Sequence, residues 1–286
     1  MLEVSQRYKA RVLEAMYQTL LTSGYNPNTT FAAHLNYLRA LESNRDSVSS
    51  NFDFPVMVNI PKGIVAGTIF LSVQSSLYFA NIPFALRKLM GDGPRLNLLI
   101  HRDTRKDFFH WKQKVYEQME NDINLRFLYT EDPASSVTMV KALKNGEHVL
   151  SYVDSMPKGQ EASVTDVDFL NCKLKAPNGL FKISEKLGFP ILPVAALCLD
   201  EPTLSLGNYL WPSPRAGYPE PMTACYQFFQ NSILVNPAQW SQWSFFYDQY
   251  ERDSHVNFTG VKGGDDINFK SNETAYSFSF KQGCIQ

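Results

Sequence analysis

Two stretches near the start of the chain carry apolar residues at helical spacing. In residues 4–21 apolar side chains recur every three or four positions, and residues 30–41 repeat the pattern. Residues 42–51 (ESNRDSVSSN) are mostly polar and have the composition of a loop. The pattern predicts an N-terminal helical cap over residues 1–50, which this loop separates from the rest of the chain.

From residue 67 onward, short apolar runs alternate with segments of helical spacing. The runs have the length of buried strands. They lie at residues 67–73, 96–100, 125–129, 147–153 and 191–197, and the helical segments lie at 78–90, 106–121, 135–143 and 178–187. This alternation predicts an α/β fold, with a mostly parallel central sheet and helices on both faces.

The pattern changes after residue 199. Turn residues and aromatic segments follow, and residues 236–251 (NPAQWSQWSFFYDQYE) predict an aromatic-rich helix. We therefore place the α/β domain at residues 51–260 and a short irregular or β extension at residues 261–286. Cap, domain and extension are expected to form one compact unit.

Composition narrows the range of partners and locations. The 27 Lys and Arg residues nearly balance the 28 Asp and Glu residues, so no general field favours nucleic acid as a partner. The longest apolar stretch, residues 63–73, is shorter than the roughly 20 residues that cross a bilayer. Because the first residues also lack the apolar centre of a secretory signal, we expect a cytoplasmic protein without a transmembrane segment. The four cysteines include no CxxC pair, so no metal site is predicted.

Polar residues follow three of the predicted strands. Gln74, Ser75 and Ser76 come after the first strand, His101 after the second, and Asp154 after the strand at residues 147–153. Ligands of parallel α/β sheets bind beyond the carboxyl ends of the strands. These residues therefore mark the predicted functional site.

The segment at residues 143–197 resembles the second half of the lipid A late acyltransferases, which belong to the lysophospholipid acyltransferase superfamily. It carries, in order, LKNGEHV, a strand ending in Asp154, a variable loop, an aromatic-containing stretch, an Ala-Pro-Asn-Gly helix start and GFPILPV. The later NPAQWSQW is similar to another helix motif of that family, and the resemblance covers residues 65–248.

The resemblance implies acyl transfer, but this chain departs from the family's catalytic motif. In the family, H-x-x-x-x-[DE] at the end of the first strand supplies a base for the acceptor hydroxyl and an acid that orients it. Alignment of residues 67–79 puts Gln74 at the histidine and Phe79 at the acid. A glutamine amide does not take up a proton near neutral pH. Three interpretations remain: a non-catalytic protein, an acceptor that is already a good nucleophile, such as an amine or thiol, or a base elsewhere.

Four residues are predicted to be catalytic, and each has a structural alternative. Gln74 is placed to hold a thioester carbonyl or acceptor amine, or it only begins a helix. Ser76 is a candidate oxyanion donor or nucleophile, or a helix N-cap. His101 is a candidate base in the same cleft or a surface histidine, and Asp154 lies near the family's catalytic base or caps a turn.

Five further residues are predicted to bind substrate. Ser75 is a second candidate hydrogen-bond donor. Arg102 and Arg105 lie where the family often places a cation for a phosphate or carrier headgroup, and the alternative is a solvated loop. Lys158 lies in the variable loop, and Asn178 lies at the following helix start.

The resemblance therefore implies an acyltransferase-like protein. Its donor would be a thioester on acyl carrier protein or coenzyme A, bound as a substrate without any further cofactor. Its acceptor would be soluble, and either an amine or carrier-bound, as in a specialised biosynthetic pathway. The alternatives are a non-catalytic protein that binds acyl carriers, and a repurposed hydrolase or condensing enzyme that uses His101 or a serine.

Overall fold

A computed structural model describes most of the chain. The described residues are 6–20, 23–43, 54–76, 78–102, 121–122, 124–154, 163–198, 200–212, 217–246, 257–258, 266–271, 274–279 and 284–285.

Two helices open the described chain, as the spacing of apolar residues predicts. They are α1 (Gln6–Leu20) and α2 (Pro27–Ser43). In α1 the fully buried Val12, Met16 and Leu20 lie at intervals of four and therefore share one face. That face belongs to the main apolar core of the α/β domain.

The central sheet has seven strands. They are β1 (Val56–Val58), β2 (Ile69–Ser72), β3 (Leu96–Ile100), β4 (Leu125–Tyr129), β5 (His148–Tyr152), β8 (Ile191–Cys198) and β9 (Pro202–Leu206). Their order across the sheet is β1-β9-β8-β2-β5-β3-β4. Only β8 and β9 pair antiparallel in this sheet, so the predicted mostly parallel sheet is confirmed.

Helices cover both faces of this sheet, also as predicted. They are α3 (Ile82–Met90), α4 (Pro133–Lys144), α5 (Gly179–Leu187), α6 (Pro219–Val235) and the short α7 (Trp243–Phe246). Along β2, Ile69 and Leu71 pack into the core that contains α1, α4, α5 and α6, whereas Phe70 packs into the core beneath α3. Successive strand residues point to opposite faces, which is why one short strand supplies both cores.

Three regions of the chain differ from the sequence predictions. The loop expected after residue 153 contains a hairpin of β6 (Val164–Phe169) and β7 (Cys172–Pro177). Its turn residues Leu170 and Asn171 both have positive φ, 49° and 62°, as a two-residue hairpin turn requires. The signal was available, because exposed charged residues alternate along both strands with buried apolar ones.

The segment predicted as turns after residue 199 instead contains β9 and α6. Pro219 and Pro221 are among the residues whose type favours turns, but they occupy the first turn of α6. Proline is accepted there because a helix's first N–H groups have no intrahelical partner. The continuous helix predicted at residues 236–251 is wrong in its described part, where a 3-10 turn at Pro237–Gln239 and an extended Trp240 precede α7.

The C-terminal extension has described strands. They are β11 (Asp266–Ser271), β12 (Thr274–Ser279) and β13 (Cys284–Ile285), which pair antiparallel in chain order. Before them β10 (Asn257–Phe258), within the predicted bounds of the α/β domain, pairs antiparallel with β11 in the same sheet. The extension is therefore β structure in these segments. The helix predicted at residues 106–121 lies almost entirely outside the described residues. None of the described helices combines the length and apolar composition that a bilayer crossing needs.

Candidate functional site

The ends of β2 and β5 bring two of the predicted site residues together. The strands are parallel neighbours, with Ser72 opposite Tyr152, so the residues that follow them leave the sheet side by side. The backbone N–H of Gln74 donates to Oδ2 of Asp154 at 2.6 Å. Two of the three predicted strand ends therefore meet here, whereas the third, which carries His101, follows β3 and is separated from β2 by β5.

A second segment covers this pair. We call residues 236–246 the covering segment. Its Trp240 indole Nε1 donates to the same Asp154 Oδ2 at 2.9 Å, and its Ser241 donates to the Gln74 carbonyl from both N–H and Oγ, at 3.2 and 3.0 Å. The Ser76 N–H donates in turn to the Gln239 carbonyl at 2.9 Å. Backbone and side-chain hydrogen bonds thus hold the covering segment over the ends of β2 and β5.

The covered residues are buried and bonded within the protein. Gln74, Ser75, Ser76 and Asp154 are at most 5% exposed. The Ser75 hydroxyl donates to the Ala196 carbonyl at 3.0 Å, and the Ser76 Oγ accepts the Tyr78 N–H at 3.1 Å. Both serine hydroxyls therefore make structural contacts. The role of the four residues in chemistry stays a prediction.

Helix α2 holds the covering segment from the other side. His34 Nδ1 lies 2.8 Å from the Ala238 carbonyl, and the Tyr37 hydroxyl donates to the Ser76 carbonyl at 3.3 Å. His34 is fully buried, and this burial lowers its pKa from 6.5 to about 4 although the bond to Ala238 opposes the shift. The ring is therefore neutral at physiological pH.

The lowered pKa of His34 predicts that the folded protein loses stability in acid. The unfolded chain takes up a proton on His34 near pH 6.5 and the folded protein only near pH 4, so the unfolded state binds more protons between these values. The contribution to stability is complete above pH 6.5 and is lost as the pH falls to 4. We expect a loss of about 3 kcal/mol across this window.

Urea unfolding between pH 7.5 and 4 measures the effect, with His34→Gln as the comparison. His148, whose pKa burial and the nearby Arg87 also lower to about 4, remains in the variant. The free energy of unfolding of the variant should therefore fall less steeply towards pH 4 than that of the wild type, but it should still fall. Equal pH dependence of variant and wild type would rule out the assigned role of His34.

A second group of interacting side chains lies at the end of β3. His101 follows β3, which lies beyond β5 from β2, so it is about 10 Å from the end of β2 across the sheet. Its Nδ1 lies 3.2 Å from Oε1 of Glu131, and its side chain is 23% exposed. Glu131 also accepts the Arg102 N–H at 2.7 Å on Oε1 and the Thr130 hydroxyl at 3.1 Å on Oε2. The carboxylate is thus fixed against an accessible imidazole.

Sequence reasoning missed Glu131 as a site residue. It follows the end of β4, just as His101 follows the end of β3, and the two strands pair in parallel. The rule that polar residues after parallel strands meet at one edge applied here too. The run Thr-Glu-Asp after an apolar strand was the signal.

Arg102 is held in place by its neighbours. Its guanidinium bonds both carboxylate oxygens of Asp132 at 2.7 Å and lies 4.3 Å from the centre of the Tyr129 ring. The side chain remains 51% exposed. Two other predicted substrate-binding residues, Arg105 and Lys158, lie outside the described residues.

The contacts of Asn178 are internal. Its Oδ1 accepts the Ser163 hydroxyl and its Nδ2 donates to Thr165 Oγ1, both at 2.7 Å. The residue is 1% exposed and precedes α5. It ties the start of α5 to the hairpin of β6 and β7, and binding of substrate by it stays a prediction.

Comparison with known proteins assigns no family to the chain. No protein-family model matches the chain, and no characterised protein matches it significantly. Within the described residues, no three His, Cys, Asp or Glu side chains cluster in a way that would hold a metal ion.

Proposed function

We propose that this chain is an acyltransferase-like protein that moves an acyl group from an acyl carrier protein or acyl-CoA thioester to a soluble amine-type or carrier-bound acceptor. His101 acts as the base in place of the family's missing histidine. The observation that carries this proposal is the His101–Glu131 pair at the carboxyl edge of the sheet, 3.2 Å apart and accessible. We further propose that the protein works in the cytoplasm, where such donors occur.

The pair suits the chemistry of acyl transfer. As the acceptor nitrogen attacks the thioester carbonyl, the His101 ring takes the proton that this nitrogen loses, and Glu131 stabilises the resulting imidazolium. The new C–N bond forms and the C–S bond breaks. The departing thiolate then takes the proton back from the imidazolium. Arg102 lies next to this pair, and a phosphate of the donor would share its guanidinium with Asp132.

Mass spectrometry of acyl transfer tests the proposal. Acyl-carrier and acyl-CoA donors are incubated with amine acceptors and with wild-type protein or His101→Gln, which is expected to lose about 10²-fold in rate. Glu131→Gln keeps an oxygen for the Arg102 N–H but loses the charge, so a smaller loss is expected. Glu220→Gln, at an exposed site on α6, is the matched control and should leave the rate unchanged. Transfer that survives His101→Gln would refute the assigned base.

A non-catalytic carrier-binding protein is the second candidate. The observation that favours it is the burial of Gln74 and Asp154, each 4% exposed, beneath the covering segment. Wild-type protein that binds acylated carriers without any transfer or hydrolysis would support this candidate. Turnover by the wild type would exclude it.

A further inference from the structure

Exposed apolar side chains are concentrated at one corner of the central sheet. The described residues include six large apolar side chains that are exposed, and four of these lie within residues 58–65 and 209–211, at the ends of β1 and β9. They are Val58, Ile60, Val65 and Trp211, which are 36%, 49%, 36% and 55% exposed. Single exposed apolar side chains are common, whereas a cluster of them marks a surface that contacts another molecule.

Tyr209 joins the two segments. The Val65 N–H donates to the Tyr209 hydroxyl oxygen at 2.9 Å, and that hydroxyl donates to the Gly63 carbonyl at 3.4 Å. The ring centroids of Tyr209 and Trp211 are 6.4 Å apart. Val65 and Trp211 therefore contact the same tyrosine, one through the backbone and the other through the ring.

This corner lies at the edge of the sheet opposite the candidate site. Strands β1 and β9 run parallel to each other and β9 runs antiparallel to β8, so both end at the edge where β8 begins. Backbone hydrogen bonds of 2.8 and 2.9 Å between Leu210 and Ile191, the first residue of β8, confirm this position. We call the four exposed side chains, together with Lys62 and Tyr209, the amino-edge patch.

The exposed side chains of the patch are separate from the core. Met57, Ile64 and Tyr209 pack against the apolar core beneath α3. Val58 and Val65 directly follow the first two of these residues in the chain, and both are exposed. Successive residues of an extended chain point to opposite sides. The inward residues already fill the core, so the outward ones remain available to an external partner.

The chemistry of the patch fits an anionic lipid surface. Among the described residues 54–68 and 202–212, the only charged side chain is Lys62, which is exposed. A lysine is attracted to anionic head groups, and aliphatic side chains enter the boundary between head groups and acyl chains. Tryptophan and tyrosine favour this boundary because each combines an apolar ring with a polar N–H or O–H group.

A second copy of this chain fits the patch less well. Two copies that meet through the same surface are related by a twofold axis, so each residue of the patch faces the patch of its partner. Such pairing would bring both copies of Lys62 into one interface without an acidic side chain from the described residues of these segments. Like charges oppose that association, whereas anionic lipid neutralises them.

We propose that the amino-edge patch docks the protein on an anionic lipid surface. Val58, Ile60, Val65 and Trp211 contact the lipid, and Lys62 pairs with the negatively charged head groups. Docking at this edge leaves the opposite edge, where the strands before Gln74 and His101 end, directed away from the lipid. It does not depend on acyl transfer.

Sedimentation with lipid vesicles tests the apolar contribution. Wild-type protein should sediment with vesicles made of equal parts of phosphatidylglycerol and phosphatidylcholine. Trp211→Ala should lower the partition coefficient about 10-fold, and Val65→Ala about 3-fold, because each removes apolar surface that the lipid covers. Val137→Ala makes the same change as Val65→Ala at an exposed position of α4 and should sediment like the wild type.

The charge contribution has its own comparison. Lys62→Gln should lower the partition coefficient about 5-fold on the mixed vesicles and leave it unchanged on vesicles of phosphatidylcholine alone. Lys141→Gln, at an exposed position of α4, is the matched control and should behave like the wild type on both. With wild-type protein, the change from mixed to phosphatidylcholine vesicles should itself weaken binding about 5-fold, so the test does not depend on a variant.

Three results would overturn the proposal. The first is wild-type protein that stays in solution with both kinds of vesicle. The second is a partition coefficient that Trp211→Ala and Lys62→Gln leave unchanged. The third is a dimer, detected by light scattering, that Trp211→Ala dissociates while the wild type binds no vesicles, which would assign the patch to a second copy of the chain.

Discussion

Replacement of Asp154 by alanine should lower the free energy of unfolding by about 4 kcal/mol. The carboxylate is 4% exposed, and its Oδ2 accepts both the Gln74 N–H and the Trp240 indole N–H. Removal of the acceptor leaves two buried donors without that partner, and each carries its full desolvation cost. Asp154→Asn retains an acceptor oxygen and should lose less. Urea unfolding followed by circular dichroism measures the difference.

Asp168→Ala is the matched control for this prediction. Asp168 pairs with Lys173 on the hairpin of β6 and β7, but its side chain is 80% exposed. Exposed ion pairs contribute little, so we expect a change of less than about 1 kcal/mol. Equal effects of Asp154→Ala and Asp168→Ala would show that the buried carboxylate does not hold the covering segment.

Trp240→Ala should have an effect of similar size, about 4 kcal/mol. The indole is 1% exposed and packs against Trp243, Phe246 and Phe169, with ring centroids 4.9, 5.3 and 5.8 Å away. Truncation opens a cavity between α7 and the hairpin and also removes a donor to Asp154. Thermal and urea unfolding both report the loss.

Two variants separate packing from hydrogen bonding at Trp240. Trp240→Phe keeps a ring but loses the indole N–H, and we expect a loss of about 2 kcal/mol, which should be less than additive with Asp154→Ala because the two share one bond. Trp211→Ala removes an indole that is 55% exposed and should cost less than about 1 kcal/mol. An additive double variant would mean that the bond between Trp240 and Asp154 contributes nothing.

Much of the central sheet could be predicted because most of its strands are short, mainly apolar runs. The predicted bounds of β3 and β4, residues 96–100 and 125–129, agree with those observed, although each strand contains one polar residue, Asn97 or Arg126. Helix α6 and the hairpin of β6 and β7 were missed for local reasons. Prolines stood in the first turn of α6, and the polar alternation in the hairpin was interpreted as loop composition.

The contacts of the candidate site could likewise be predicted only in part. The meeting of Gln74 with Asp154 could be predicted, because both follow parallel strands and such strands end at one edge of the sheet. The same rule brings His101 and Glu131 together after the parallel strands β3 and β4, but Glu131 was not recognised as a site residue. The bond from Trp240 to Asp154 joins residues 86 positions apart, so no local pattern contains it.

By itself the sequence determined the α/β class, the mostly parallel sheet and the polar strand ends, because hydrophobic periodicity reports which backbone shape buries apolar side chains. Only the tertiary structure decided that the covering segment closes over Gln74 and Asp154 and that His101 and Glu131 meet separately, after β3 and β4. Burial and hydrogen bonding between distant segments depend on how elements pack together. Periodicity within one element does not contain that information.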